Sequence, residues 1–270
     1  MSNSVKPKKA LGQHFLTDMG IAARIAATLD AYKELPVLEI GPGTGVLTQF
    51  LMESHPADKL TLVEIDTESV EWLKLHLPQP NPRIIEGDFL TLPFDEMLPG
   101  VSPACIIGNY PYNISSQIFF KVLDHKDRVA CCSGMLQREV AERLAAKPGT
   151  KARGILSVLL QAWYDVEYLF TVSEHVFNPP PKVKSGVIRM TRNSVTDLGC
   201  DEALFKTVVK TTFGQRRKTI RNSVRALLPP QCSLADDALG SLRPEQLSVE
   251  QFVELTLRVA EMRGANKSAT

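Results

Sequence analysis

Between residues 36 and 112 four short apolar runs alternate with helical stretches, and each run ends in turn-forming or acidic residues. PVLEI (36–40) runs into GPGTG, KLTLVEID (59–66) ends around Glu64, PRIIEGDFL (82–90) carries Asp88, and ACIIGNYPY (104–112) closes on a turn. Helical stretches are expected at about 45–54, 68–77, 115–123 and 138–146, with a further strand near 129–136. Buried strands alternating with helices form a parallel, doubly wound sheet. Upstream, DMGIAARIAATL (18–29) reads as an amphipathic helix with Asp18 or Thr17 as its N-cap. ILSVLLQAWYDVEYLF (155–170), rich in Val, Leu and aromatics, reads with SGVIRMT (185–191) as a closing β-hairpin. From about residue 198 the strand signal vanishes and three or four helices are expected. The fold class is therefore α/β, with a Rossmann-like domain over 1–197 and a small helical domain over 198–270.

The 270 residues suffice for one large α/β domain and a small appended module. No apolar run reaches the roughly 18 residues of a membrane-spanning helix. The basic amino end lacks the apolar stretch of a signal peptide. Five cysteines form no CxxC pair and show no zinc spacing, as expected for reduced thiols in a cytoplasmic protein, and no metal is expected. The formal net charge of +1 conceals local basic surfaces. Residues 204–228 carry Lys206, Lys210, Arg216, Arg217, Lys218, Arg221 and Arg225 without one acidic residue. Lys6, Lys8 and Lys9 add to the amino end, and Lys147, Lys151 and Arg153 to a middle loop.

The turn after the first strand of such a sheet lies at its ligand crevice. There the glycines of Glu39-Ile40-Gly41-Pro42-Gly43-Thr44-Gly45 let the backbone approach a ligand. Glu64, at the end of the second strand, offers a carboxylate to both hydroxyls of a ribose. This spacing alone also fits a dinucleotide site. GxGxG is not GxGxxG, however, and no pyrophosphate-binding turn is evident. S-adenosylmethionine, with ribose and adenine but no phosphate, fits better. Asp88, at the end of the third strand, offers an acceptor to the cofactor's adenine amino group; capping of the next turn is the plainer reading.

Asn109-Tyr110-Pro111-Tyr112 ends the fourth strand beside the same crevice. An adenine amino nitrogen is a poor nucleophile because its lone pair is delocalised into the ring. The Asn109 side-chain oxygen and the Tyr110 carbonyl can accept its two N–H bonds and so favour a pyramidal nitrogen. Pro111 fixes the turn, and Tyr112 offers a face for a flipped base. In isolation this tetrapeptide is also a plain β-turn. FNPPPKVK (177–184) cannot be helical. Phe177 is placed to stack on the other side of the base, with Lys182 and Lys184 towards phosphates. In the tail, Arg217, Arg221 and Arg225, four apart, are expected on one face of a helix, with Lys218 beside them, as phosphate contacts or as a solvated face.

KKALGQHFL (8–16), LEIGPGTGVLT (38–48), EGDFL (86–90), GNYPYNIS (108–115), FNPPPKVKS (177–185) and FGQRRKTIRNS (213–223) together resemble, in order, the ribosomal RNA adenine N6,N6-dimethyltransferases, above all their bacterial 16S type. The resemblance runs from about residue 8 to 260. It implies S-adenosylmethionine-dependent methylation of two adjacent adenines near the 3′ end of 16S RNA. The small ribosomal subunit or its precursor is the implied partner, and a soluble monomer is expected. Carried over, the cofactor site is His14, Leu16, Gly41, Glu64, Asp88 and Asn109. The methyl-transfer motif is Asn109, Tyr110, Pro111 and Tyr112, with Phe177 facing the base. His14 stands where many members have Asn, and Tyr110 where Leu is commoner. A 23S RNA adenine methyltransferase on the same core is the nearest alternative, and a non-catalytic nucleic-acid-binding factor on this fold is the other.

Overall fold

The computed structural model describes residues 5–100, 103–234 and 237–267. Its strands are β1 (Phe15–Leu16), β2 (Val37–Ile40), β3 (Leu60–Glu64), β4 (Arg83–Glu86), β5 (Ala104–Asn109), β6 (Val129–Gln137), β7 (Tyr164–Val172), β8 (Phe177–Asn178) and β9 (Ser185–Arg192). Its α-helices are α1 (Met19–Ala26), α2 (Thr48–Ser54), α3 (Thr67–His76), α4 (Phe94–Met97), α5 (Ser115–Asp124), α6 (Arg138–Leu144), α7 (Ile155–Gln161), α8 (Glu202–Gly214), α9 (Ile220–Ser223) and α10 (Val249–Lys267). A seven-stranded sheet has the order β4-β3-β2-β5-β6-β9-β7. The first five of these strands are parallel, and β9 runs antiparallel to β6. β2 and β3 are buried along their whole length, with Glu39, Thr61 and Glu64 enclosed among their apolar residues. β1 and β8 form a separate antiparallel pair that ties the amino-terminal segment to the 177–184 loop.

Register brings the strand ends level. Ile40 lies opposite both Val63 and Gly108, and Glu64 opposite Glu86. Gly41, Glu64, Asp88 and Asn109 therefore emerge along one edge of the sheet. The order reverses between β2 and β5, which is where a doubly wound sheet opens its crevice. Beneath this edge Ile25, Leu29, Leu51, Leu62, Ile107 and Val187 belong to one buried core. Asp18 caps α1 as expected, its carboxylate accepting from the Ile21 N–H at 3.0 Å.

The structure departs from the expected hairpin over 155–170. Residues 155–161 form α7, and the strand begins only at Tyr164. Leu156 to Leu160 are all buried, so the segment lacks the polar alternation that separates helix from strand. The Ser157 hydroxyl accepts from the Gly154 N–H at 3.0 Å and starts the helix.

The chain falls into two compact units, the described residues up to 142 with 165–192, and 143–164 with those from 193 onward. These units interleave along the chain, where loss of strand signal alone divides it at residue 198. In the second unit Phe205, Val208, Val209, Phe252, Leu255 and Val259 are buried, and the rings of Phe213 and Phe252 stack at 6.0 Å. Arg153, expected on a basic surface, is instead fully buried. Its guanidinium donates to the Ala146 carbonyl at 2.7 Å and to Gln161 Oε1 at 2.6 Å. Burial lowers its pKa to about 10, against the pull of the Glu250 carboxylate. The single arginine face expected over 217–225 is also corrected: α8 ends at Gly214 and α9 starts at Ile220. Arg217 lies in the turn between them, and Arg225 opens a 3-10 segment.

Candidate active site

A cavity of about 180 Å³ opens at the carboxyl ends of β2, β3, β4 and β5. His14, Gly41, Glu64, Asp88, Asn109, Tyr110, Pro111 and Tyr112 all line it, so eight of the expected residues meet at one place. Among the described residues, Glu64 and Asp88 are the only Asp or Glu side chains that line it, and no Lys or Arg does.

Gly41 and Gly43 adopt φ of +64° and +57°, the left-handed region that side chains resist. A Cβ on Gly41 would meet nothing within 4 Å, so the backbone itself forms the floor of the crevice there. A Cβ on Gly43 would come within 2.9 Å of the Phe15 ring. Glu64 is buried, yet both carboxylate oxygens are held: Oε2 accepts from the Gly43 N–H and Oε1 from the Asp66 N–H, each at 2.9 Å. Burial pushes its pKa up, and these two bonds oppose that shift. Each oxygen keeps a lone pair for a further donor.

Asp88 caps the turn that follows it. Its Oδ1 accepts from the Leu90 N–H at 2.8 Å. This does not remove it from the cavity wall.

Asn109 donates through Nδ2 to the His14 carbonyl at 3.0 Å, which assigns its amide orientation and leaves Oδ1 as the free acceptor at the wall. His14 Nδ1 lies 2.7 Å from the Pro179 carbonyl; a carbonyl only accepts, so Nδ1 carries the proton. The His14 and Tyr112 rings stack 5.7 Å apart. Tyr112 shares a 2.6 Å hydroxyl–hydroxyl bond with Ser185, and burial raises its pKa.

Tyr110 turns its side chain away from chemistry. The ring is 1% exposed, and its hydroxyl donates to the Ser133 carbonyl at 2.6 Å. Gly108 and Gly134 make room for it: added Cβ atoms would lie 3.1 Å and 2.7 Å from the ring. That leaves the Tyr110 backbone, not its hydroxyl, to face the cavity.

Two expected residues are not on this cavity. Leu16 is 6% exposed and lines a smaller adjoining cavity with Glu39 and Thr44. Phe177 is 5% exposed, pairs with Leu16 across β1 and β8, and packs into the core. Lys182 and Lys184 are exposed on the loop before β9, and Arg217, Lys218, Arg221 and Arg225 are exposed in the second unit.

Ile65, Asp66 and Ser69 lie at or beside the site but outside the motifs. Asp66, directly beyond β3, is buried and fastens the amino-terminal segment. Its carboxylate pairs with Lys8 Nζ and accepts from Gln13 Nε2 at 3.2 Å and Ser69 Oγ at 3.0 Å. Burial works against its charge, yet these bonds hold its pKa below the ordinary value. Ile65, 49% exposed, and Phe89 supply apolar wall next to the two carboxylates.

A cavity with left-handed glycines, two carboxylates and no cationic side chain suits a ligand with hydroxyls, an amino-bearing base and positive charge, and no phosphate. The residues present thus fit S-adenosylmethionine. The fold and this cavity define a class I S-adenosylmethionine-dependent methyltransferase. The model of the ribosomal RNA adenine dimethylase family matches residues 4–261, and the chain belongs to that family. "Ribosomal RNA small subunit methyltransferase A" of Parabacteroides distasonis is 68% identical over 253 residues, 94% of each chain. The protein of the same name from Bacteroides thetaiotaomicron is 62% identical over 266 residues, covering 98% of this chain and 97% of its own. Among solved structures, a dimethyladenosine transferase from Plasmodium falciparum superposes with a TM-score of 0.77 at 24% identity, over 92% of this chain and 98% of that one. The 23S rRNA methyltransferase ErmE superposes at 0.69 with 27% identity, over 91% and 99%. No helix among the described residues is long and apolar enough to cross a membrane.

Proposed function

We propose that this chain dimethylates N6 of two adjacent adenines near the 3′ end of 16S ribosomal RNA, using S-adenosylmethionine. It does so as a cytoplasmic monomer on the small ribosomal subunit or its precursor, and so takes part in ribosome biogenesis. The names and near-complete coverage of relatives at 62–68% identity favour the small-subunit substrate over the 23S alternative. The intact Asn109–Tyr112 turn favours catalysis over binding alone.

S-adenosylmethionine supplies an electrophilic methyl group on its sulfonium. Glu64 is set to take the ribose hydroxyls, and Asp88 the adenine amino group. Asn109 carries the reading: its Nδ2 is committed to His14, so Oδ1 is pre-aimed as an acceptor. An adenine amino group that donates to Oδ1 and to the Tyr110 carbonyl keeps its lone pair out of ring conjugation, and positioning replaces a strong base. Tyr112, its hydroxyl tethered to Ser185, is assigned the face on which the flipped base stacks. Stacking by Phe177 requires its ring to leave the core position it holds here. Exposed Lys182, Lys184, Arg217, Lys218, Arg221 and Arg225 are assigned to phosphates, which position without reading sequence.

The test is incubation with methyl-labelled S-adenosylmethionine and small subunits lacking the modification, followed by mapping of labelled bases. Two adjacent dimethyladenines near the 3′ end are expected. Label on large-subunit RNA, or none on either, overturns the reading.

A further inference from the structure

Lys121 sits on α5, the helix that follows the Asn109–Ile114 acceptor turn, and reaches back to the turn after β4. That turn is organised from two sides. Asp88 gathers its N–H groups: Oδ1 accepts from Leu90 N–H at 2.8 Å, and its main-chain carbonyl accepts from Thr91 and Leu92 N–H at 3.0 and 2.9 Å. Lys121 gathers its carbonyls. Nζ donates to Phe89 at 2.5 Å, Leu90 at 3.2 Å and Leu92 at 2.5 Å, and lies 5.0 Å from the centre of the Phe89 ring. Gly87, Asp88, Phe89 and Leu90 form one wall of the cavity.

An ammonium has three N–H donors, and all three are used inside the chain. Lys121 therefore has no donor left for an RNA phosphate, although it is a lysine near a substrate site. Removing it would leave three carbonyls converging on a half-buried space without their donor, and the turn would shift as it seeks other partners. Moving the turn moves Asp88 and Phe89.

We propose that Lys121 is a positioning residue for the cofactor, clamping the 88–92 turn so that Asp88 and Phe89 hold the adenine subsite in shape. The inference rests on the assignment of Asp88 to the cofactor's adenine. It also joins the two halves of the site, since the clamp is carried by the helix that the methyl-acceptor turn leads into.

The experiment is calorimetric titration of the full chain with S-adenosylhomocysteine, together with steady-state methyl transfer to small subunits. Lys121→Met is expected to weaken binding about tenfold, the scale of one lost charged hydrogen bond. KM for S-adenosylmethionine should rise in parallel, while kcat at saturating cofactor stays within about twofold. Lys121→Arg, which keeps charge and several donors, should restore most of the affinity. Unchanged affinity in Lys121→Met overturns the proposal. So does a loss confined to kcat, or a loss of affinity that Lys121→Arg shares in full. Should Lys121→Met fail to fold, Lys121→Gln is read by the same two measurements. Asp88→Ala separates the two layers. If it binds S-adenosylhomocysteine like the native chain, the adenine assignment fails and Lys121's role with it; if it is weakened while Lys121→Met is not, only the role of Lys121 fails.

Discussion

Glu39→Gln should change how stability depends on pH, and by a calculable amount. Glu39 lies in β2, two residues before Gly41, and is 1% exposed. Its Oε2 accepts from Thr48 Oγ1 at 2.7 Å. Burial pushes its pKa from 4.5 to about 8; the Thr48 bond opposes this, and the nearby Glu64 charge adds to it. Between those two values the folded chain keeps a proton that the unfolded chain has lost. Stability from this group is therefore greatest at low pH and falls as pH rises, by up to about 1.4 kcal/mol per pH unit. The loss between pH 5 and 7 comes to about 2–3 kcal/mol, and it levels off above the folded value. An amide keeps the acceptor for Thr48 and never ionises. The native chain and Glu39→Gln should thus be closest in stability below about pH 4.5, with the native chain already about 1 kcal/mol lower at about pH 5. The variant should lead by about 2–3 kcal/mol more at about pH 7. Glu64 is raised in the same direction by burial, but it is present in both chains and drops out of the difference. Urea melts across this range give the comparison directly. Parallel profiles for the two chains would show that Glu39 is ionised in the folded state and that the reasoning from burial is wrong.

Asn109→Ala should cut methyl transfer at saturating cofactor and RNA by about 10²–10³ while changing RNA affinity little, because phosphate contacts supply most of that affinity; single-turnover assays beside filter binding separate the two, and near-native turnover rejects amino-group activation. Tyr110→Phe should lower stability by about 1–3 kcal/mol, since the buried Ser133 carbonyl loses a 2.6 Å donor, yet leave turnover at saturating cofactor almost intact; a large fall in kcat without a fall in melting temperature would mean that the hydroxyl takes part in the reaction. Reversing Arg217, Arg221 and Arg225 to Glu should weaken subunit binding and flatten its salt dependence, by roughly 0.7–0.9 of log–log slope per lost phosphate contact, with cofactor affinity unchanged; unaltered binding and slope would leave these arginines as solvated surface.

How much of the site was legible follows from the range of each interaction. Gly41, Glu64, Asp88 and Asn109 could be read because strand ends announce themselves locally, through an apolar run and the turn or acidic residue that closes it. Their register in the sheet then brings them level without further information. The helix over 155–161 is illegible in the sequence because a run buried on every side has no period to read. The burial of Arg153 and the break in the arginine face are illegible for a related reason. Charge alone does not say that a guanidinium is enclosed by the Ala146 carbonyl and Gln161, nor that a basic stretch breaks after Gly214. The motif puts Tyr110 at the cavity, but its ring follows the space left by Gly108 and Gly134, one of them 24 residues further along the chain. The residues that hold the site in shape were the least legible. Lys8 and Gln13 meet Asp66 across 58 and 53 residues, and Lys121 meets the 88–92 turn across 29 to 32. None of these pairs has a local pattern, because each is made by folding itself. Groups that line the cavity are therefore written near strand ends, while the groups that brace them are distributed. A substitution at Asp66 or Lys121 is for that reason a sharper probe of how the fold positions the cofactor than another substitution in the glycine turn.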